Sequence, residues 1–261
     1  MQRLARIVRA TYRCLLAVTL LPVMPLLLVP LPGQARAKRV CCRIVLRCLG
    51  VRITKSGGPI RNLPGMLMVS PHMSWVDALV IYALSPTSGR CSQPIAFVAR
   101  ADLVTWAGLG PIARAMKVIP IERSSLRRLP DVVQTVTERL RAGQTVVAFP
   151  EGTTWCGLAY GPFRPAMFQA AIDAGRPVQP LRLTYHHRDG NPSTVPAYVG
   201  DDTLGQSLRR LLTARLTVAH VRVEALQLPS DGRRELARRC EAAVRGTATA
   251  PPGTHEHALA A

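Results

Sequence analysis

From residue 51 to residue 244, short apolar runs alternate with longer stretches of helical periodicity, and this alternation confines the chain to one class of fold. Runs at 51–55, 66–70, 95–99, 118–122, 145–149, 178–185 and 217–226 read as strands, being short and rich in Val and Ile. Stretches at 76–84, 128–142, 163–174, 204–212 and 233–244 carry apolar residues at three- and four-residue spacing and read as helices. Strands separated by helix-length connections pair in parallel, so the expected fold is α/β, a central mostly parallel sheet flanked by helices. In such sheets the chemistry gathers where strands end and loops begin. The sequence has no internal repeat, and its 261 residues show no evident second domain.

Charge is distributed very unevenly. The formal net charge is +19, and twelve Lys or Arg residues precede the first acidic residue, Asp77. They flank an apolar run at 14–31. Basic flanks around an apolar segment are the pattern of an anchor on an anionic membrane. A nucleic-acid binder needs no such run, so membrane lipids are the expected partner and nucleic acid is not. A signal peptide, a single spanning helix and a re-entrant or interfacial helical hairpin compete for residues 1–37. Pro22, Pro25, Pro30 and Pro32 disfavour a straight helix, and two basic flanks favour one side of the bilayer. The hairpin is the preferred reading, giving a monotopic or single-pass protein on the cytoplasmic face.

Residues 36–50 follow as a basic amphipathic helix, with Val40, Ile44, Val45 and Leu46 among Arg39, Arg43 and Arg47. The expected division is an anchoring segment at 1–50, an α/β domain at 51–245 and a disordered tail at 246–261. The seven cysteines are irregularly spaced and read as free thiols, with no zinc pattern.

Polar residues collect at four strand ends. At the first, Ser70-Pro71-His72-Met73-Ser74-Trp75-Val76-Asp77 places a histidine in a turn and an aspartate one helical turn later. A carboxylate on one ring nitrogen of His72 fixes the tautomer and leaves the other nitrogen as a general base for a hydroxyl. At the second, Arg123 closes an apolar strand, where a guanidinium can grip a phosphate through two bonds. At the third, Phe149-Pro150-Glu151-Gly152-Thr153-Thr154 ends a strand, and Gly152 permits an unusual backbone angle. The fourth combines Gly161-Pro162-Phe163-Arg164 with Val178-Gln179-Pro180, and Arg164 is a second candidate phosphate clamp.

Taken in order, these blocks resemble the glycerolipid acyltransferase family, which includes the 1-acyl-glycerol-3-phosphate and lysophospholipid acyltransferases. The resemblance spans roughly residues 66–185. It implies that His72 is the general base and Asp77 its orienting partner. It further implies that Arg123, Glu151, Gly152, Thr153 and Arg164 form the acceptor and phosphate site, with Pro180 structural or on the acyl side. Pro71, Lys117, Pro120 and Thr154-Trp155 depart from the family's usual residues, which leaves both a lysophosphatidate-like acceptor and another lysolipid, such as a lyso-aminolipid, open.

The implied reaction moves a fatty acyl chain from acyl-CoA or acyl-carrier protein to the acceptor hydroxyl. It requires no cofactor and no metal. Backbone N–H groups near Gly152 are the expected donors to the oxyanion. A covalent acyl-enzyme on Cys156 or Ser74 is disfavoured because no second base accompanies either residue. A non-catalytic basic membrane-binding protein is the remaining alternative.

Overall fold

The structure is a computed structural model, and it describes residues 2–19, 34–86, 95–101, 113, 116–122, 126–229 and 232–246. Seven strands form one sheet: β1 (Val51–Gly57), β2 (Leu67–Val69), β3 (Ala96–Arg100), β4 (Ile119–Ile121), β5 (Val146–Ala148), β6 (Val178–His186) and β7 (Thr217–Val223). Their order across the sheet is β1-β7-β6-β2-β5-β3-β4. The strands β6, β2, β5, β3 and β4 are mutually parallel. β7 runs antiparallel to β6, and β1 is parallel to β7. The expected mostly parallel sheet is present, with two reversed strands at one edge. The connection from β6 to β7 carries the helix Leu204–Thr213 and brings the chain back into the sheet in the reverse direction.

Helices cover both faces: α1 (Gln2–Val18), α2 (Gln34–Cys48), α3 (Val76–Leu84), α4 (Leu129–Arg141), α5 (Ala166–Asp173), α6 (Leu204–Thr213) and α7 (Gly232–Arg245). Strand alternation sorts side chains between two cores. Met68, Phe97, Val147, Leu181 and Leu183 join α2, α3 and α6 in one. Leu67, Val69, Ala96, Val98, Val146 and Ala148 join α4, α5 and α7 in the other. On α4, Val132, Val136 and Leu140 recur every fourth residue and are buried, the stripe expected of a helix with one face on a sheet.

The N-terminal helices correct the sequence reading in two respects. First, α1 spans residues 2–18, mostly ahead of the apolar run, and residues 20–33 of the expected hairpin lie outside the described residues. Second, the apolar positions of α2 do not share one face. Val40 and Ile44 are exposed, whereas Leu46 is buried in the core and Val45 packs against it. The helix needs Leu46 to cover the sheet, so only part of its apolar surface faces outward.

The twelve early basic residues are likewise not one outward-facing set. Arg13 is 9% exposed, and its guanidinium donates to the carbonyls of Leu211, Leu212, Ala214 and Arg215 at 2.7–3.1 Å. Arg9 donates to Thr213 O at 2.8 Å. Leu211, Leu212 and Thr213 carry carbonyls that the end of α6 leaves without intrahelical partners, Ala214 and Arg215 follow directly, and a cation there also meets the negative end of the helix dipole. In the same way, Arg43 Nε donates to Ala83 O at 3.1 Å and Arg39 to Ser85 O, closing the end of α3. Each N-terminal helix is thus bolted to the α/β body through arginines.

Candidate active site

Parallel strands bring their C-terminal ends to one edge of the sheet. β2 lies between β5 and β6, so the residues following β2 and β5 meet the last residues of β6. The chain leaves β2 at Val69 and turns through Ser70, Pro71 and His72 before α3 begins at Val76. Asp77 is fully buried in the first turn of α3.

The His72–Asp77 pair forms as expected. His72 Nδ1 lies 2.9 Å from Asp77 Oδ2, which also accepts the backbone N–H groups of Met73 at 2.7 Å and Ser74 at 2.8 Å. Three bonds to one oxygen wind residues 72–74 around the carboxylate, which turns the imidazole toward it. Because a carboxylate accepts, the proton sits on Nδ1 and Nε2 carries the lone pair. The ring stacks on Phe149 at a centroid distance of 4.0 Å and an interplanar angle of 17°. The His72 side chain is 15% exposed, and it lines a cleft of about 240 Å³. An aligned base with one free nitrogen at a cleft wall is the geometry that proton abstraction from a bound hydroxyl requires.

Glu151 follows β5 and is 4% exposed. Its Oε2 accepts the backbone N–H of His72 at 2.8 Å, tying the β5 loop to the histidine turn. Burial pushes the Glu151 carboxyl up to about 8. The His72 N–H and the nearby Arg245 oppose that rise, and Asp77 and Glu241 reinforce it. The same loop is held from the other side, where the Trp155 N–H donates to His72 O at 2.8 Å.

Gly152 has φ +74°, and a Cβ there would stand 3.1 Å from Arg164 Nε. The positive φ favours glycine here, and the Arg164 side chain lies over it. Arg164 is exposed, and its backbone N–H donates to Pro150 O at 2.9 Å. Gly152 N–H is engaged with Phe149 O at 3.1 Å. Of the amides near Gly152, this one is already used within the turn. Thr153 is half-buried beside Gly152. Arg123 lies outside the described residues. Ser74 is buried, with its hydroxyl accepting the Val76 N–H at 3.3 Å, and Cys156 is buried as well.

Three features escaped sequence reasoning. Tyr185, at the end of β6, donates its hydroxyl to Asp77 Oδ1 at 2.7 Å. In the sequence it occupies an inward position of a strand and is indistinguishable from core. Phe149 was visible only as part of the strand-end block, with nothing to show that it stacks on His72. At the end of α7, Arg245 lines the cleft, pairs with Glu241 and lies 3.9 Å over the Tyr160 ring. A terminal helix arginine carries no sequence signal of that kind.

The fold and site are those of a mostly parallel α/β sheet with a carboxylate-oriented histidine at its strand ends. The chain belongs to the acyltransferase family, whose model matches residues 52–184. It is 35% identical over 183 residues to a lyso-ornithine lipid O-acyltransferase of Pseudomonas aeruginosa, covering 69% of this chain and 66% of that protein. It is 34% identical over 157 residues to a 1-acyl-sn-glycerol-3-phosphate acyltransferase of Neisseria meningitidis, covering 60% of this chain and 58% of that one. In both cases the match spans less than two thirds of the relative's length. The crystal structure of the 1-acyl-sn-glycerophosphate acyltransferase PlsC from Thermotoga maritima shares the fold, with a TM-score of 0.67 at 16% identity over 94% of this chain and 96% of that one.

Proposed function

We propose that this protein is an O-acyltransferase that moves a fatty acyl chain from a thioester donor, acyl-CoA or acyl-carrier protein, to the free hydroxyl of a lysophosphatidate-like acceptor. The observation that carries the reading is His72, a cleft-lining residue held through Nδ1 by Asp77 at 2.9 Å. His72 Nε2 takes the hydroxyl proton, and the acceptor oxygen attacks the thioester carbonyl carbon. The tetrahedral intermediate collapses, the C–S bond breaks, and the thiolate leaves with the proton returned by His72. Asp77 stabilises the imidazolium that exists between those transfers. Arg164 over Gly152, together with Arg123, supplies positive charge for the acceptor's phosphate.

Both substrates carry acyl tails, and α1 is suited to meet them at a membrane surface. Leu4, Ile7, Val8, Tyr12 and Leu15 are each 59–67% exposed, while Arg9 and Arg13 face the body of the protein. An amphipathic helix ordinarily turns its apolar face inward. Here that face points outward, as an interfacial helix requires. Among the described residues no helix is long and apolar enough to cross a membrane, and peripheral docking needs none.

A second reading keeps the chemistry and changes the acceptor to a lyso-aminolipid. It is favoured by relatives named lyso-ornithine lipid O-acyltransferases, including one from Rhodobacter capsulatus that is 28% identical over 79% of this chain. The two are separated by incubating the detergent-solubilised chain with labelled acyl-CoA or acyl-carrier protein and either lysophosphatidate or lyso-ornithine lipid. Phosphatidate as the faster product supports the first reading, and acylated ornithine lipid the second. No ester product from any lysolipid with either donor would refute both.

A further inference from the structure

We propose that Tyr185 is a positioning residue of this site, holding the Asp77 carboxylate in the one orientation that presents His72 Nε2 to the cleft; this rests on the reading of His72 as general base. The bonds to Asp77 divide sharply by origin. The donors on Oδ2 come from His72, Met73 and Ser74, all within five residues of Asp77 in the chain. They organise the turn relative to itself. The Oδ1 donor, Tyr185, comes from β6, 108 residues away. It joins the turn to the sheet, and β6 also lines the cleft. The Tyr185 hydroxyl therefore adds a side-chain tie from β6 to the His72 turn beyond the backbone pairing of β2 with β6.

The hydroxyl is suited to permanent donation. Tyr185 is fully enclosed, and burial, with the Asp77 charge adding to it, pushes the phenol well above its ordinary range. The shift favours the protonated phenol, the form that donates. Removing the hydroxyl leaves Asp77 Oδ1 a buried acceptor without this bond, and the carboxylate is then held only through Oδ2, by donors of its own turn. The ring has a separate duty. It packs in the core with Leu181 and Leu183, so a tyrosine there has a structural reason to exist that the test must separate from positioning.

Tyr185→Phe keeps the ring and deletes the hydroxyl. The expected result is a kcat about tenfold lower, the scale seen when an outer-shell hydrogen bond to an orienting group is lost, with KM for donor and acceptor within about twofold of wild type. Combined with Asp77→Asn, the same change should cost less than about twofold more, because Tyr185 acts through Asp77. Leu181→Val, on the same strand and outside the cleft, serves as the structural control: a lower unfolding midpoint with kcat nearly unchanged.

Wild-type kcat in Tyr185→Phe, a change confined to KM, or full multiplication of its effect with Asp77→Asn would each overturn the inference. A fully active His72→Ala would instead refute the general-base reading on which it rests. Should Tyr185→Phe fail to fold, 3-fluorotyrosine at position 185 replaces it. A changed kcat then supports the hydroxyl's role, and an unchanged kcat overturns it.

Discussion

Replacing Glu151 with Gln tests the electrostatics of the site, because it removes an ionisable group while keeping an oxygen for the His72 N–H. Burial raises the carboxyl from its ordinary 4.5 to about 8. The folded protein therefore holds a proton that the unfolded chain releases. Stability is highest below the unfolded value and falls as pH rises from about 4.5 to about 8, since the native state binds more protons over that interval. At 1.36 kcal/mol per pH unit the full interval corresponds to roughly 5 kcal/mol, an upper bound because relaxation and water entry soften burial penalties. Urea unfolding of wild type and Glu151→Gln at pH 5 and pH 9 reads the difference directly, with other titrating groups cancelling between the two chains. The glutamine chain should gain on wild type by about 2–5 kcal/mol between pH 5 and pH 9. Parallel pH profiles, or a gain in the opposite direction, would refute the assignment of a strained, buried carboxyl at this position.

Three further outcomes follow from named contacts. Asp77→Asn puts an amide where one oxygen accepts three donors, so kcat should fall about a thousandfold with the fold intact by circular dichroism. Arg13→Ala removes four bonds to carbonyls at the end of α6 and should lower stability by about 2–4 kcal/mol in urea unfolding, with faster proteolysis within α1. Replacing Leu4, Ile7 and Leu15 together with Ser should weaken binding to vesicles containing anionic lipid on the order of a hundredfold, at roughly 1 kcal/mol or more per side chain. Flotation with the same vesicles measures it, and unchanged binding would remove α1 from the docking surface.

The His72–Asp77 contact was legible in the sequence because it is local. His72 and Asp77 are five residues apart at a strand-to-helix turn, and hydrogen bonds within that turn fix their geometry. The parallel sheet was legible for a related reason, since strand and helix periodicities are local signals that force a topology. What the sequence hid depends on distant chain segments. Tyr185 and Asp77 meet only because β6 lies beside β2, and Arg245 reaches the cleft only because α7 packs on the sheet. Arginine reads as surface charge, yet Arg9, Arg13, Arg39 and Arg43 are spent on helix-end carbonyls. Orientation was hidden in α1 as well, where Arg9 and Arg13 turn inward. Gly152 shows both sides: its special backbone angle was readable, but the engagement of its N–H by Phe149 required the structure.

The central claim is that His72 removes the acceptor's proton. Single-turnover acyl transfer by the full chain in detergent, wild type against His72→Ala, tests it most directly, with labelled long-chain acyl-CoA and acyl-carrier protein as donors and the acceptor identified by the lysolipid comparison. A rate lower by roughly a hundredfold or more in the variant, with the lysolipid still bound, is the predicted result. Equal rates from the two chains would contradict it.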